Sequence, residues 1–212
     1  MVEEGVLIEC LNNANVTEVL SVSRKPTGIT HPKLKEYIVP DFLQLQANDP
    51  ELQGYDAVFF CAGISSVGVS EEDFKIAAYD TTMHFAKAVG AKPTVTFIYV
   101  SGGGTDPNGR MAWARIKGKT EDDLIKLPFR QAFGYRVGFM KPFKEQKRVK
   151  SYYKYFAWMI PLTKLLAPGI VNDMHEVGKS MIYAARYGYD KNIIAPKDVK
   201  IMAERLSKEN NS

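Results

Sequence analysis

Thr94-Val95-Thr96-Phe97-Ile98-Tyr99-Val100 carries no charge, and Ser101-Gly102-Gly103-Gly104 closes it. Apolar, β-branched and aromatic residues at both parities mark a strand covered on both faces, as in a parallel sheet. Such a strand needs helices above and below it, and the flanking sequence supplies them. Ala57 to Cys61 (AVFFC) is a second continuous apolar run. Thr17 to Ser23 (TEVLSVS), Glu36 to Val39 (EYIV), Gln131 to Val137 (QAFGYRV) and Asn192 to Ala195 (NIIA) are the other predicted strands. Between them lie helical patterns. Residues 2–12 place Val2, Val6, Leu7, Cys10 and Leu11 on one side. Ser70 caps a helix with Glu71, Glu72 and Asp73 in its first turn, and Gly90 ends it. Further helices are expected from Met111 to Leu127, from Asp173 to Arg186 with Gly188 as stop, and from Lys197 to Ser207. Strands alternating with helices give an α/β fold class, a doubly wound parallel sheet of Rossmann type. Residues 1–212 read as one domain with a small C-terminal helical elaboration.

Composition narrows the function classes. The 212 residues are 45% hydrophobic and 25% charged, which excludes a disordered chain, a collagen-like fibre and a disulfide scaffold. The net charge of +4 is too mild to point to nucleic acid, so no nucleic-acid partner is expected. Two cysteines, Cys10 and Cys61, suit a reducing compartment, and a cytoplasmic location is the expectation. No apolar run reaches the ~20 residues of a bilayer span, and Met1 to Gly5 lacks the features of a signal peptide. His31, His84 and His175 are scattered without metal-ligand spacing, so no metal is expected.

Four segments together resemble a known family. They are the opening Met1-Val2-Glu3-Glu4-Gly5-Val6-Leu7, then Ser21-Val22-Ser23-Arg24-Lys25, then Cys61-Ala62-Gly63, and finally Tyr99-Val100-Ser101-Gly102-Gly103-Gly104 followed by Trp113-Ala114-Arg115-Ile116-Lys117. The chain resembles the atypical short-chain dehydrogenases/reductases, the compact NAD(P)-binding epimerase-like and NmrA-like proteins, over nearly its whole length. A doubly wound sheet usually opens with its central strand and a glycine-rich turn. This sequence opens on a helix instead. The resemblance therefore implies that about 10–15 residues of strand and turn are absent from the front of this sequence, leaving a gap between the second and fourth strands of the family's sheet.

The resemblance also implies a cofactor site. Gly5 is the remaining glycine of the phosphate-binding turn, and Glu3 stands where the last loop glycine belongs, an anion where a phosphate would lie. Arg24 and Lys25 follow the second strand in place of an acid, which suits the 2′-phosphate of NADP better than the free hydroxyl of NAD. Asp41 and Phe42 would touch the adenine, and Cys61, Ala62, Gly63 and Gly138 would line the nucleotide's path. Without the resemblance, Arg24-Lys25 is a solvated turn before Pro26, Asp41 a surface acid and Gly63 an ordinary strand-end turn.

For catalysis the resemblance implies Ser101 to orient a substrate carbonyl and Lys117 to hold the ribose and lower a phenol's pKa. Trp113 stands four residues before Lys117, on the same helix face, where the family has its tyrosine. Indole donates a hydrogen bond but exchanges no proton near neutral pH, so Trp113 is no substitute acid. Tyr79, Tyr99, Tyr135, Tyr152 and Tyr153 are the other candidate acids. The expected function is NADP-linked oxidoreductase or epimerase-like chemistry on a small molecule; the alternative is nucleotide sensing or partner binding without turnover.

One stretch remains. Lys141, Lys144, Lys147, Arg148, Lys150 and Lys154 oppose Glu145 alone, and Tyr152, Tyr153, Tyr155, Phe156 and Trp158 are interleaved or follow. The family resemblance makes residues 139–212 a substrate-side lid or a homodimer interface. Peripheral contact with a membrane surface is the alternative.

Overall fold

The computed structural model describes residues 2–141 and 171–209. In chain order its helices and strands are α1 (Val2–Asn12), β1 (Val19–Ser23), β2 (Leu34–Ile38), β3 (Ala57–Phe60), α2 (Glu71–Lys75), α3 (Thr81–Val89), β4 (Thr96–Tyr99), α4 (Ala112–Ile125), β5 (Gln131–Tyr135), β6 (Phe139–Lys141), β7 (Val171–Asp173), α5 (Met174–Tyr187), β8 (Ile193–Ile194) and α6 (Pro196–Glu209). Every predicted element is present. All strands predicted except the second are shorter than their apolar runs, because pairing, not composition, sets their ends. The second strand begins two residues before Glu36 and ends one before Val39, since Val19 N–H bonds the Lys33 carbonyl and fixes the register Val19 to Leu34. The helix expected from Ser70 to Gly90 is interrupted by a π turn, Ile76–Asp80, where Thr81 Oγ1 donates back to the Ile76 carbonyl at 2.8 Å. The short parallel pair of β6 with β7 was not foreseen, because three-residue strands carry no readable periodicity.

β4 is buried at all four positions, as its double-parity apolar run requires. It pairs in parallel with β3 on one side and β5 on the other, and β5 pairs with β8. Side chains alternate between two cores. Ile98, Phe133 and Tyr135 meet Val6, Met174, Val177 and Met181 of α1 and α5 on one face. Phe60, Phe97 and Tyr99 meet Phe85, Val89 and Leu124 of α3 and α4 on the other. The result is three layers with helices on both faces of a parallel sheet.

That sheet is divided. β1 and β2 form a two-stranded parallel sheet, and β3-β4-β5-β8 form a separate four-stranded one. The division falls where the sequence reading expected a gap. Every residue of β1 is half-buried, and so are three of the four in β3. The two sheets are tied at the N-terminal ends of their facing strands, where Tyr55 donates to Glu18 at 2.9 Å; Lys35 of β2 pairs with the same carboxylate at 2.7 Å from within the two-stranded sheet.

The loop after β4 is set by close packing on α4. Gly102 and Gly104 have φ of +90° and +83°, a conformation that L side chains rarely adopt. Gly118, on α4, lets the helix touch Pro107: a Cβ there would lie 2.4 Å from the Pro107 nitrogen. Backbone and a proline ring cannot yield as a flexible side chain does. Gly118→Ala is therefore expected to destabilise the fold by about 1–3 kcal/mol, read as a lower urea midpoint with an unchanged slope.

Candidate functional site

The C-terminal edge of the strands is where open α/β sheets bind ligands. Ser101 ends β4 there. Its residue is fully buried, and its Oγ has no hydrogen-bond partner among the described residues. An unpaired buried hydroxyl is costly, so this oxygen is a group waiting for a partner. Lys117, on α4, donates from Nζ to the Ser101 carbonyl oxygen at 2.7 Å. Burial lowers the pKa of Lys117, and the nearby Glu121 carboxylate opposes that shift.

Both residues line a cavity of about 1120 Å³ that also reaches Arg24, Phe42, Cys61, Ala62 and Gly63. Glu3, in the first turn of α1, lines it too. Eight of the residues singled out in the sequence thus share one space. The others stand elsewhere. Gly5 is buried within α1, and Lys25 is exposed beyond β1. Asp41 accepts a hydrogen bond from the Leu43 amide at 2.9 Å and caps a short 3₁₀ turn. Gly138 packs against Gly103, whose added Cβ would lie 3.3 Å from the Gly138 Cα.

Trp113 does not face the cavity. Its ring covers the glycine turn, with Cη2 3.0 Å from where a Gly104 Cβ would stand. The phenols expected as substitute acids are also occupied. Tyr135 is buried and donates to the Ser180 carbonyl at 3.1 Å, while Tyr99 is buried in the core beside Thr120. Tyr79 donates to Asp123 at 2.8 Å on the outer side of α4. Tyr152, Tyr153 and the rest of the basic aromatic stretch from residue 142 lie outside the described residues.

The sequence reading missed the ion pair behind the site. Arg136, just past β5, reaches Glu121 through Nε and Nη2, at 3.1 and 2.6 Å to Oε2. The Glu121 side chain is fully buried, and Gly134 leaves it room: a Cβ there would lie 2.5 Å from Oε1. The four-residue spacing from Lys117 to Glu121 was the available signal. The cysteines are quiet. Burial pushes the Cys10 thiol up to about 12 and raises Cys61 further, so neither is a thiolate near neutral pH. The three histidines do separate structural work: His31 accepts from the Lys33 amide, His84 meets the Leu45 carbonyl, and His175 pairs with Glu9. No group of three metal-ligating side chains forms among the described residues.

No family model matches the chain. Among curated proteins it is 28% identical over 149 residues to mitochondrial protein FMP52-2 of Scheffersomyces stipitis, covering 69% of this chain and 59% of that one. It is 22% identical over 193 residues to mitochondrial protein fmp52 of Emericella nidulans, covering 87% and 82%. Among solved structures it matches 3-oxoacyl-[acyl-carrier protein] reductase from Brucella melitensis in complex with NAD, with TM-score 0.63, 14% identity and coverage of 94% and 92%. A short-chain dehydrogenase/reductase family oxidoreductase from Burkholderia thailandensis gives TM-score 0.63, 14% identity and coverage of 99% and 92%. The fold is of the Rossmann type. The names of the curated relatives overturn the cytoplasmic expectation: they are mitochondrial proteins, and a low cysteine count does not distinguish the two compartments. Among the described residues no helix is long and apolar enough to cross a membrane.

Asp123 offers a check on the outer face of α4. Lys119, foremost, with Lys126 and Tyr79, holds its carboxyl down at about 2. A depressed carboxyl stabilises the fold above its unfolded pKa, near 3.9, and that contribution is lost as pH falls towards 2. Both lysines are mostly exposed, so screening leaves about 1 kcal/mol. Asp123→Asn should lower stability by that amount at pH 7, and the difference from wild type should close between pH 4 and pH 2 in unfolding curves.

Proposed function

We propose that this protein binds a nicotinamide dinucleotide across the C-terminal edge of its strands, prefers NADP to NAD, and serves oxidoreductase or epimerase-like chemistry on a small molecule. The observation that carries this reading is that Arg24 and Lys117 line one cavity, with Phe42, Cys61-Ala62-Gly63 and the unpaired Ser101 hydroxyl. These groups suit the ligand class. Arg24 presents a planar cation to a 2′-phosphate, Phe42 an aromatic face to a base, and Gly63 an open backbone, with nothing within 4 Å of an added Cβ. Lys117 would hold a ribose hydroxyl, and Ser101 Oγ would donate to a substrate carbonyl. When bound, the nicotinamide supplies hydride exchange. Glu3 opposes a pyrophosphate at the N-terminus of α1, so affinity rests on the two ends of the ligand more than on its middle.

A second reading, nucleotide sensing without turnover, is favoured by Trp113. Its indole covers the glycine turn and exchanges no proton, and neither Tyr79, Tyr99 nor Tyr135 lines the cavity. The naming of the curated relatives supports a mitochondrial location for this chain.

Fluorescence titration should give at least tenfold tighter binding of NADPH than NADH, and Arg24→Ala should bring the two within about twofold. Equal affinities in the wild type would refute the NADP preference. Lys117→Ala should abolish NADPH-dependent reduction of small carbonyl compounds. Unchanged turnover would remove Lys117 from the chemistry, and NADPH binding with no wild-type turnover would select the sensing reading.

A further inference from the structure

Ser101 and Lys117 are held in a closed ring of contacts. The Ser101 carbonyl accepts from Lys117 Nζ at 2.7 Å. Lys117 and Glu121 lie one turn apart on α4. Glu121 accepts the Arg136 fork, from Nε at 3.1 Å and from Nη2 at 2.6 Å. The carbonyls on either side of Arg136 lead back to the start. Tyr135 accepts from the Ser101 and Gly102 amides at 3.2 and 3.1 Å, and Val137 from the Gly103 amide at 2.8 Å. Arg136 is itself pinned from the β8 side, where its amide bonds the Ile194 carbonyl at 2.9 Å.

Packing does not require a charged pair here. The attraction within a buried ion pair is largely offset by lost hydration, and apolar residues of similar volume would join α4 to β5 as firmly. Yet the Glu121 side chain is fully buried. β5 keeps Gly134 at a buried position to admit it, since a Cβ there would lie 2.5 Å from Oε1. A glycine inside a strand weakens the strand. What the pair adds over an apolar contact is direction, because a two-pronged fork holds one geometry.

We propose that Glu121 and Arg136 are positioning residues, whose fork locks the Ser101 turn, hung on the end of β5, to the turn of α4 that carries Lys117. The inference rests on the proposed function in one respect: that Ser101 and Lys117 are the groups that meet the ligand. A charge effect accompanies the geometric one. Burial favours a neutral Lys117, and the Glu121 carboxylate favours its cation. Arg136 faces Glu121 from the end of β5, while Glu3 of α1 and Arg24, just past β1, line the same cavity as Lys117.

The test uses the ligand-free full chain with lysine carrying ¹³C at Cε, the Lys117 signal being the one that Lys117→Ala removes. Glu121→Gln keeps the shape and removes the charge. The Lys117 midpoint should then move to lower pH by about one unit. A merely structural role would admit water and move the midpoint up instead. Arg136→Lys keeps a cation and loses the fork. Amide exchange at Gly102 and Gly103 should speed up at least tenfold, with Phe97 and Ile98 of β4 changing less than threefold. If a single variant does not fold, Glu121→Gln combined with Arg136→Gln, which strands no charge, is read for the same selective exchange. An unchanged or raised midpoint, or exchange in the turn that stays at the wild-type rate or rises no more than in β4, would overturn the proposal. Both readouts are made without NADPH, so they stand or fall apart from the titrations that test dinucleotide binding.

Discussion

A strand inside a sheet has two edges, and each edge carries polar groups that need partners wherever water is excluded. That requirement organises this protein. β4 and β5 meet it on both sides, and they are buried throughout or nearly so. β1 and β3 meet it on one side only, and they remain half-exposed although their apolar faces contact both cores. The division of the sheet is thus a matter of backbone pairing and not of weak hydrophobic packing. The side chains on either side of the cleft are those of a continuous interior.

The site at the strand ends inherits its properties from that interior. Lys117 keeps an amine beside the cavity because α4 packs closely, through Gly118, on the loop that follows Ser101. The Glu121–Arg136 pair lies behind it, buried, hydrogen-bonded in a fork and fitted against Gly134. Removing one member of such a pair strands a charge, which costs far more than the pair itself contributes. The Arg136 guanidinium and the Lys117 amine therefore share one carboxylate as their common electrostatic reference. Trp113, one turn away, contributes shape instead: its ring fixes the path of the glycine turn.

Much of the architecture was legible because the periodicities are strong. Phe97, Ile98 and Tyr99 announce a doubly covered strand. Ser70 and Gly90 bracket a helical region, and the N-terminal helix has the limits its apolar side suggested. The π turn at Ile76–Asp80 was not legible, since a one-residue phase shift leaves composition unchanged. The site was read in part. Ser101, Lys117 and Arg24 reach the cavity because strand ends and helix spacing place them there. Asp41 and Gly138 do not, because a local cap and a backbone contact decide their positions, and neither leaves a trace in spacing. Glu121 was overlooked because a buried acid on a helix looks, in sequence, like any solvated one. Compartment was misjudged because cysteine number reports redox conditions and not address.

The pairing of Glu9 with His175 at 2.7 Å joins residues 166 apart in sequence. α1 packs on α5 through this contact and through Gly178, whose missing Cβ makes room for Glu9. During synthesis the first helix leaves the ribosome early, but its partner surface appears only after residue 175 has been made. α1 therefore docks on α5 only after the segments between them have been made. Until then the apolar side of α1, including Val6 and Cys10, lacks the α5 part of its cover. For α1 and α5 the order of translation and the order of assembly therefore differ, and the interval between them leaves an apolar helix side without that partner.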